Sequence, residues 1–264
     1  MRALLASVAL AVIAPLASLP VRGQEGEPSG SREWLGREAE VEEFLRTAPI
    51  ERLEALDVGV TGPKRAFFAP GGLAASAAVK ILRPGFRGAF FESYKSEIAA
   101  YELDRLLGLG MVPVTVARRI EDHEASVQLW VRGRLLSEIG RQTPPNPAVW
   151  SRQVRRQRLF DALIANIDRT AENILVDEDW DIVLIDHSRA FAVDTMPFEE
   201  QITRIDRPLF EALKALDGAT LGERVRPWLF DDKALRALLG RRDKLVGRLE
   251  RLIEERGEAV VLSR

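Results

Sequence analysis

Two short stretches constrain this chain more than any other feature: Ile167-Asp168-Arg169-Thr170-Ala171-Glu172-Asn173 and Leu184-Ile185-Asp186-His187-Ser188. The first reads D-R-x-x-x-N. The second closes an apolar run on a carboxylate, and a hairpin separates the two, with Ile174-Leu175-Val176 and Ile182-Val183-Leu184-Ile185 flanking the polar tip Asp177-Glu178-Asp179-Trp180-Asp181. Asp168 can accept or orient a proton. Asn173 lies near enough in sequence to ligate the same metal site, and Asp186 supplies a hard carboxylate oxygen for Mg²⁺ or Mn²⁺. An acid, an amide and a second acid in this order suit phosphoryl transfer to a hydroxyl.

The chain has 264 residues, 46% of them hydrophobic, enough for one two-lobed domain or two small ones around a real core. Its 38 basic and 40 acidic residues leave a formal net charge of −2, so nothing global argues for nucleic acid or an anionic membrane surface. With no cysteine, a disulfide framework, a thiolate zinc site and a cysteine nucleophile are excluded. His123 and His187 are the only histidines, so a polyhistidine metal centre is nearly excluded as well, and a Ser-His-Asp hydrolase would have to use one of them.

After Met1-Arg2, residues 3–14 are apolar except for Ser7, and Pro15 and Pro20 follow. Such a segment reads as a secretory signal (1–23) cleaved before Gln24 rather than as a permanent span, so no stable membrane span is expected and the body is expected outside the cytoplasm, secreted or periplasmic. Residues 24–31 read as a flexible linker. Trp34, Leu35, Val41, Phe44 and Leu45 then recur at helical spacing. From Leu56 the texture becomes short β-type runs broken by glycine: Leu56 to Val60, Arg65 to Ala69, Ala75 to Leu82, then Pro113 to Arg118 and Ser126 to Arg132. Between them a helix begins near Ser93 or Tyr94 and ends at Gly108, with Ala99, Leu103 and Leu106 on one face.

Thr143-Pro144-Pro145-Asn146-Pro147 interrupts every regular pattern and is the expected boundary, dividing 32–142 from 143–264. Beyond it one helix is expected from Val149 through Ile167, running directly into Asp168. Three more are expected downstream: one opened by Asp206 and Pro208 and closed at Gly218, one started by Thr220, and one from about Asp231 that can continue through Leu245, Leu249 and Leu252. The fold class is therefore α+β, with a small antiparallel sheet carrying a helix in the first half and a mostly helical second half.

A sheet-rich half, a hinge, and a helical half holding D-R-x-x-x-N and a later Asp resemble the two-lobed protein-kinase-like fold. The segment Glu97-Ile98-Ala99-Ala100-Tyr101-Glu102-Leu103-Asp104-Arg105-Leu106-Leu107-Gly108 is similar to the E-I-A-A-x-x-L-D-R-x-L-G pattern of the secretory-pathway kinases, the Golgi casein kinase and four-jointed family. Leu163 to Arg169 and Leu184 to His187 resemble that family's L-I-x-N-x-D-R and L-D-H-G motifs, and phosphatidylinositol 3- and 4-kinases and bacterial persistence-toxin kinases share parts of the pattern. The likeness covers residues 56–191.

What the resemblance implies is a kinase that uses ATP or another nucleoside triphosphate with Mg²⁺ or Mn²⁺ on a hydroxyl acceptor. Lys80, in Ala77-Ala78-Val79-Lys80-Ile81-Leu82, would grip the phosphates and Glu97 would hold Lys80. Asp168 would orient the acceptor, and Asn173 and Asp186 would carry the metal. Gly59-Val60-Thr61-Gly62-Pro63-Lys64 reads either as an ordinary turn or as a phosphate-covering loop in which Gly62 and Lys64 take part. Leu129-Trp130-Val131 reads either as a core strand or as one side of an adenine slot formed by Trp130 and Val131. Two positions depart from the pattern: Ser188 stands where the family has glycine after Asp-His, and Thr170 stands where related chains often have histidine. A catalytically inactive nucleotide- or partner-binding relative is the alternative to a kinase.

Overall fold

The computed structural model describes residues 32–56 and 62–263. The expected signal segment and linker lie outside them, as does most of the expected strand Leu56 to Val60. Among the described residues no helix is long and apolar enough to cross a membrane.

A first helix, α1 (Glu38–Thr47), leads into strands β1 (Ile50–Ala55), β2 (Lys64–Phe68) and β3 (Ser76–Lys80). A short hairpin, β4 (Gly85–Arg87) and β5 (Phe90–Glu92), precedes helix α2 (Tyr94–Leu107) and strands β6 (Thr115–Ile120) and β7 (His123–Leu129). The large sheet has the order β1-β2-β3-β7-β6 and is antiparallel throughout. Its first strand is the six residues before the expected one. Ile50–Ala55 carries Glu51, Arg52 and Glu54 on a mostly exposed edge, so it lacks the apolar run that marks a buried strand.

Alternation along β3 divides the sheet's two faces. Ala77 and Val79 are fully buried in the core, which leaves Ser76, Ala78 and Lys80 on the other face. Both α1 and α2 pack against β6 and β7. A buried acid ties the two helices: Glu42 Oε1 accepts from Tyr101 Oη (2.9 Å) and from the Arg105 guanidinium. Local signals set the ends of α2. Ser93 Oγ accepts the Lys95 N–H (3.0 Å), and Gly108 closes the helix in the left-handed region at φ 63°, which costs glycine nothing.

After strand β8 (Arg134–Leu135) and a single turn α3 (Leu136–Ile139), helix α4 (Pro147–Leu163) opens on an Asn146 cap and Pro147. It stops at Leu163, short of the expected Ile167. The apolar stripe suggests a longer helix, but Ala165 adopts φ 49° and the Asn166 N–H returns to the Asp161 carbonyl (2.9 Å). Arg241, from the last long helix, donates to the Leu163 carbonyl (2.7 Å) and so satisfies one of the groups that α4 leaves open. Strands β9 (Ile174–Val176) and β10 (Ile182–Leu184) form the expected hairpin and pair with β8 in a second small sheet.

Among the described residues four helices complete this half: α5 (Arg207–Ala215), α6 (Gly218–Arg224), α7 (Asp232–Arg256) and the single turn α8 (Glu258–Val261). Asp206, Asp217 and Asp231 cap α5, α6 and α7, so α5 ends at Ala215 rather than at Gly218, and Gly218 instead opens α6, ahead of the expected Thr220; the Asp217 carboxylate accepts the Thr220 N–H (2.7 Å) and makes Thr220 an internal residue. Helix α7 does continue through Leu245, Leu249 and Leu252, all buried. The result is a two-lobed α+β fold, an antiparallel-sheet lobe against a mostly helical one, joined by a continuous core that includes Leu45, Val79, Leu103, Phe160, Leu184 and Leu238. Each such leucine contributes roughly 1.5–3 kcal/mol by leaving water.

Candidate active site

Lys80 is the last residue of β3, and its ammonium meets two carboxylates. Nζ lies 2.6 Å from Glu97 Oε1 and 2.6 Å from Asp186 Oδ1. Glu97 stands in the first turn of α2 and its side chain is only 3% exposed. Burial works against charging either partner of such a pair, but their mutual attraction outweighs it. The Lys80 pKa is raised by Glu97 and Asp186 against that burial, and the Lys80 ammonium holds the Glu97 carboxyl far below the usual carboxylate range.

Glu97 also accepts the His187 backbone N–H on Oε2 (3.0 Å). The His187 ring is fully buried, and burial lowers its pKa, so the imidazole is neutral. Its Nε2 lies 2.9 Å from Arg169 Nη2. A guanidinium only donates, so Nε2 accepts and the ring proton sits on Nδ1, which faces Glu97 Oε2 at 3.6 Å.

Asp168 and Asn173 lie on the loop between α4 and β9. Asn173 Nδ2 donates to the Asp168 carbonyl (2.9 Å), which orients the amide with its oxygen as the acceptor end. The Ile185 N–H donates to the Asn173 carbonyl (3.2 Å), so the chain at Asn173 runs beside the residue that precedes Asp186. Arg169 braces this arrangement. It binds both oxygens of the fully buried Asp161 (3.0 to 3.1 Å) and gives Nη1 to the Asn173 and Ile185 carbonyls at 2.7 and 2.8 Å. Asp161 is thus the anchor of the loop, and nothing about its place inside an apolar helical stripe marked it in the sequence.

The Asp168 carboxylate is 42% exposed, and one oxygen, Oδ2, accepts from Arg189 Nη1 (3.0 Å). Arg189 is a residue that sequence reasoning missed. The only signal for it was an arginine set between the Asp-His-Ser turn and the buried Ala190-Phe191. Ser188 also joins the site, donating Oγ–H to Asp186 Oδ1 (2.9 Å).

The other expected residues lie farther out. Lys64 pairs with Val79, on the sheet face opposite Lys80, and its Nζ binds Glu121 (2.7 Å). Gly62 adopts φ 58° beside residues outside the described set. Trp130 and Val131 directly follow β7, where the Trp130 N–H reaches the Ser76 carbonyl (3.2 Å). The Arg65 guanidinium lies 4.1 Å from the centroid of the Trp130 ring and binds Ser76 Oγ (2.9 and 3.1 Å). Since Arg65 pairs with Ala78, two residues before Lys80, it shares the Lys80 face of the sheet.

Among the described residues no group of three or more His, Asp or Glu side chains is arranged to hold a metal. The donors that Asp186 and Asn173 would offer, one carboxylate and one amide oxygen, are hard and sparse. They fit a divalent ion that brings substrate phosphates and water as its remaining ligands, and do not fit an ion caged by protein alone.

A strand lysine paired with a helix glutamate, facing an aspartate at the end of a hairpin and a D-R-x-x-x-N loop, on this strand order, decides the fold. The fold is atypical protein-kinase-like. It resembles the Golgi casein kinase and Fam20 family of secretory-pathway kinases. Similar solved structures include the Golgi casein kinase with Mn/ADP bound, with a TM-score of 0.64, 19% identity, and 86% of this chain and 78% of that one covered. Hydra Fam20 with sugar gives a TM-score of 0.59 at 15% identity, covering 85% of this chain and 91% of that one. The Helicobacter pylori proinflammatory kinase CtkA gives 0.53 at 12% identity, covering 84% and 99%. No protein-family model matches the chain, and no curated protein matches it in sequence.

Proposed function

We propose that this chain is a kinase that transfers the γ-phosphoryl group of a nucleoside triphosphate, with Mg²⁺ or Mn²⁺, to a hydroxyl of a protein, glycan or lipid acceptor. The observation that carries the proposal is the convergence of Glu97 and Asp186 on one half-buried ammonium, Lys80, at 2.6 Å each. A half-buried strand lysine held by a helix carboxylate is aimed rather than free, and an aimed cation suits phosphate oxygens. A bound divalent ion would neutralise phosphate charge as it develops, with Asp186 and Asn173 as its protein ligands.

Phosphoryl transfer asks the protein for positioning and charge more than for covalent chemistry. The acceptor oxygen bonds to the γ-phosphorus, the bond from that phosphorus to the bridging oxygen breaks, and the nucleoside diphosphate departs. Asp168 orients the acceptor hydroxyl and takes its proton. Lys80 stays on the non-transferred phosphates, and Glu97 prevents it from collapsing onto Asp186 alone. Trp130 and Val131, after β7, are proposed to flank the nucleobase. The apolar segment at residues 3–14 supports action outside the cytoplasm, and the manganese and ADP of the Golgi casein kinase support the choice of nucleotide and metal.

The test is transfer of radiolabelled phosphate from ATP with Mn²⁺ to pooled peptides and glycans, with Asp186→Ala and Asp168→Ala as controls. Label in an acceptor with the wild type and none with either control supports the reading. Nucleotide binding without transfer, unchanged by Asp168→Ala, refutes it in favour of a binding module.

A further inference from the structure

Arg169 is the arginine beside Asp168 in the sequence, yet its side chain is only 2% exposed and is committed to Asp161, two backbone carbonyls and His187. The cation that reaches the Asp168 carboxylate comes from a different element. Arg189 places Nη1 3.0 Å from Asp168 Oδ2. Its other nitrogens are held from behind: Nε and Nη2 both bind Glu92 Oε1, at 2.8 and 2.7 Å. The Phe90 ring covers the guanidinium at 4.7 Å. Glu92, from β5, has a side chain only 3% exposed, and its other oxygen faces Arg87 at 3.7 Å.

We infer that Arg189 is a positioning residue for acceptor phosphorylation: it fixes the Asp168 carboxylate by one oxygen and leaves the other to the acceptor hydroxyl, while Glu92 and Phe90 fix Arg189. This rests on the kinase reading above. A carboxylate on an exposed loop can turn about its side-chain bonds, and an acceptor held by a turning carboxylate loses the near-attack geometry. A planar guanidinium held on three sides removes that freedom. Lysine, a point charge on a flexible stem, cannot bind Glu92 through two nitrogens and Asp168 through a third in one plane. The role also gives a purpose to the β4–β5 hairpin, whose buried acid is shared between Arg87 of the hairpin and Arg189.

The experiment compares the wild type, Arg189→Met, Arg189→Lys and Glu92→Gln in the full chain. Nucleotide binding is read by thermal shift with ATP and Mn²⁺, and turnover is read on dephosphorylated casein and a pooled serine/threonine peptide library. Arg189→Met is expected to lower kcat on the order of 10²-fold with ATP affinity within about twofold of wild type. Arg189→Lys should recover part of the loss, and adding about 50 mM guanidinium to Arg189→Met should recover part as well, since the lost group is then supplied from solution. Glu92→Gln should lower kcat in the same direction, and combining it with Arg189→Met should add little, as expected for residues that act as a unit.

An Arg189→Met variant that keeps kcat within threefold overturns the inference while leaving the kinase reading intact. So does a loss of kcat matched by an equal loss of nucleotide affinity and unmoved by guanidinium or lysine, because that is the signature of a structural prop. A wild type that binds nucleotide and phosphorylates none of the probes refutes the kinase reading on these acceptors and this inference with it.

Discussion

Removing the Lys80 ammonium tests the central ion cluster more directly than any change to its carboxylates. In Lys80→Met the stem keeps its packing but Glu97, 3% exposed, loses the charge that holds it ionised. Asp186 also loses a partner, but at 33% side-chain exposure it keeps water and the Ser188 hydroxyl. Breaking a buried pair by deleting one member costs about 3–5 kcal/mol, because the survivor is an uncompensated buried charge. Glu97 keeps the His187 N–H, so the expected cost near pH 8 is about 3 kcal/mol, the lower end of that range. Glu97→Gln leaves Lys80 on Asp186 and should cost only about 1–2 kcal/mol.

The pH dependence fixes the sign. In the wild type the Glu97 pKa lies below its unfolded value, so the pair contributes stability that is present above about pH 4.3 and is lost as pH falls through the folded value. In Lys80→Met burial, the largest influence on Glu97, is opposed only by the contacts with His187, and the Glu97 pKa rises. The variant therefore loses stability as pH rises above about 4.3, and the gap from wild type widens from pH 5 to pH 8. Urea denaturation followed by far-UV circular dichroism at those two pH values measures the gap. The double variant Lys80→Met/Glu97→Gln carries no orphan charge at Glu97 and should be more stable at pH 8 than Lys80→Met by about 1–2 kcal/mol. A gap that is the same at both pH values, or a double variant whose cost equals the sum of the singles, would refute the electrostatic account of this cluster.

Burial pushes the Asp104 carboxyl up to about 7 even though it accepts the Met111 and Val112 N–H groups, so its contribution is full below about pH 3.9, falls as pH rises from there to about 7 and is level beyond; Asp104→Asn should flatten that decline, read as melting temperature against pH. Arg169→Met should destabilise by about 3–5 kcal/mol and abolish turnover, because it strands the fully buried Asp161 and frees the loop carbonyls; stability within about 1 kcal/mol of wild type would remove Arg169 as the brace. ATP at roughly 100 times its dissociation constant with Mn²⁺ should raise the melting temperature by about 5–10 °C. Chelation, or Asp186→Asn, should abolish most of that rise, and a rise indifferent to both would exclude Asp186 as a metal ligand.

What was legible in the sequence follows from how local each signal is. Helix α2 carries its own punctuation, Ser93 at one end and Gly108 at the other, and the β9–β10 hairpin is two apolar runs around a polar tip. With those elements placed, Lys80 and Glu97 could be put on a strand and the next helix, and the observed 2.6 Å contact joins them. Long-range contacts were not legible. The end of α4 is set by the buried Asp161–Arg169 pair and by Arg241 reaching across from α7, while the stripe Leu163, Ile164, Ile167 reads as uninterrupted helix; Ile167 is in fact 41% exposed. Arg189 and Glu92 are separated by 97 positions and carry no spacing that relates them.

The serine that replaces glycine after Asp-His illustrates how the site tolerates a departure from pattern. A glycine is needed where the backbone turns into the left-handed region, and here that turn occurs at Asp186 itself, at φ 56°. Aspartate enters this region more readily than most residues. Two contacts hold the chain as it leaves the turn: the His187 N–H on Glu97, and the Ser93 N–H on the Ser188 carbonyl (3.0 Å). Both partners belong to the start of α2. Ser188 is therefore free to be something other than glycine, and its hydroxyl binds the carboxylate that the turn presents. The same contacts make the position of α2 and the conformation of Asp186 one variable. Any shift of α2 away from the sheet breaks the Lys80–Glu97 pair and releases the Asp186 turn together, so the lysine and the Asp186 carboxylate are presented jointly or not at all.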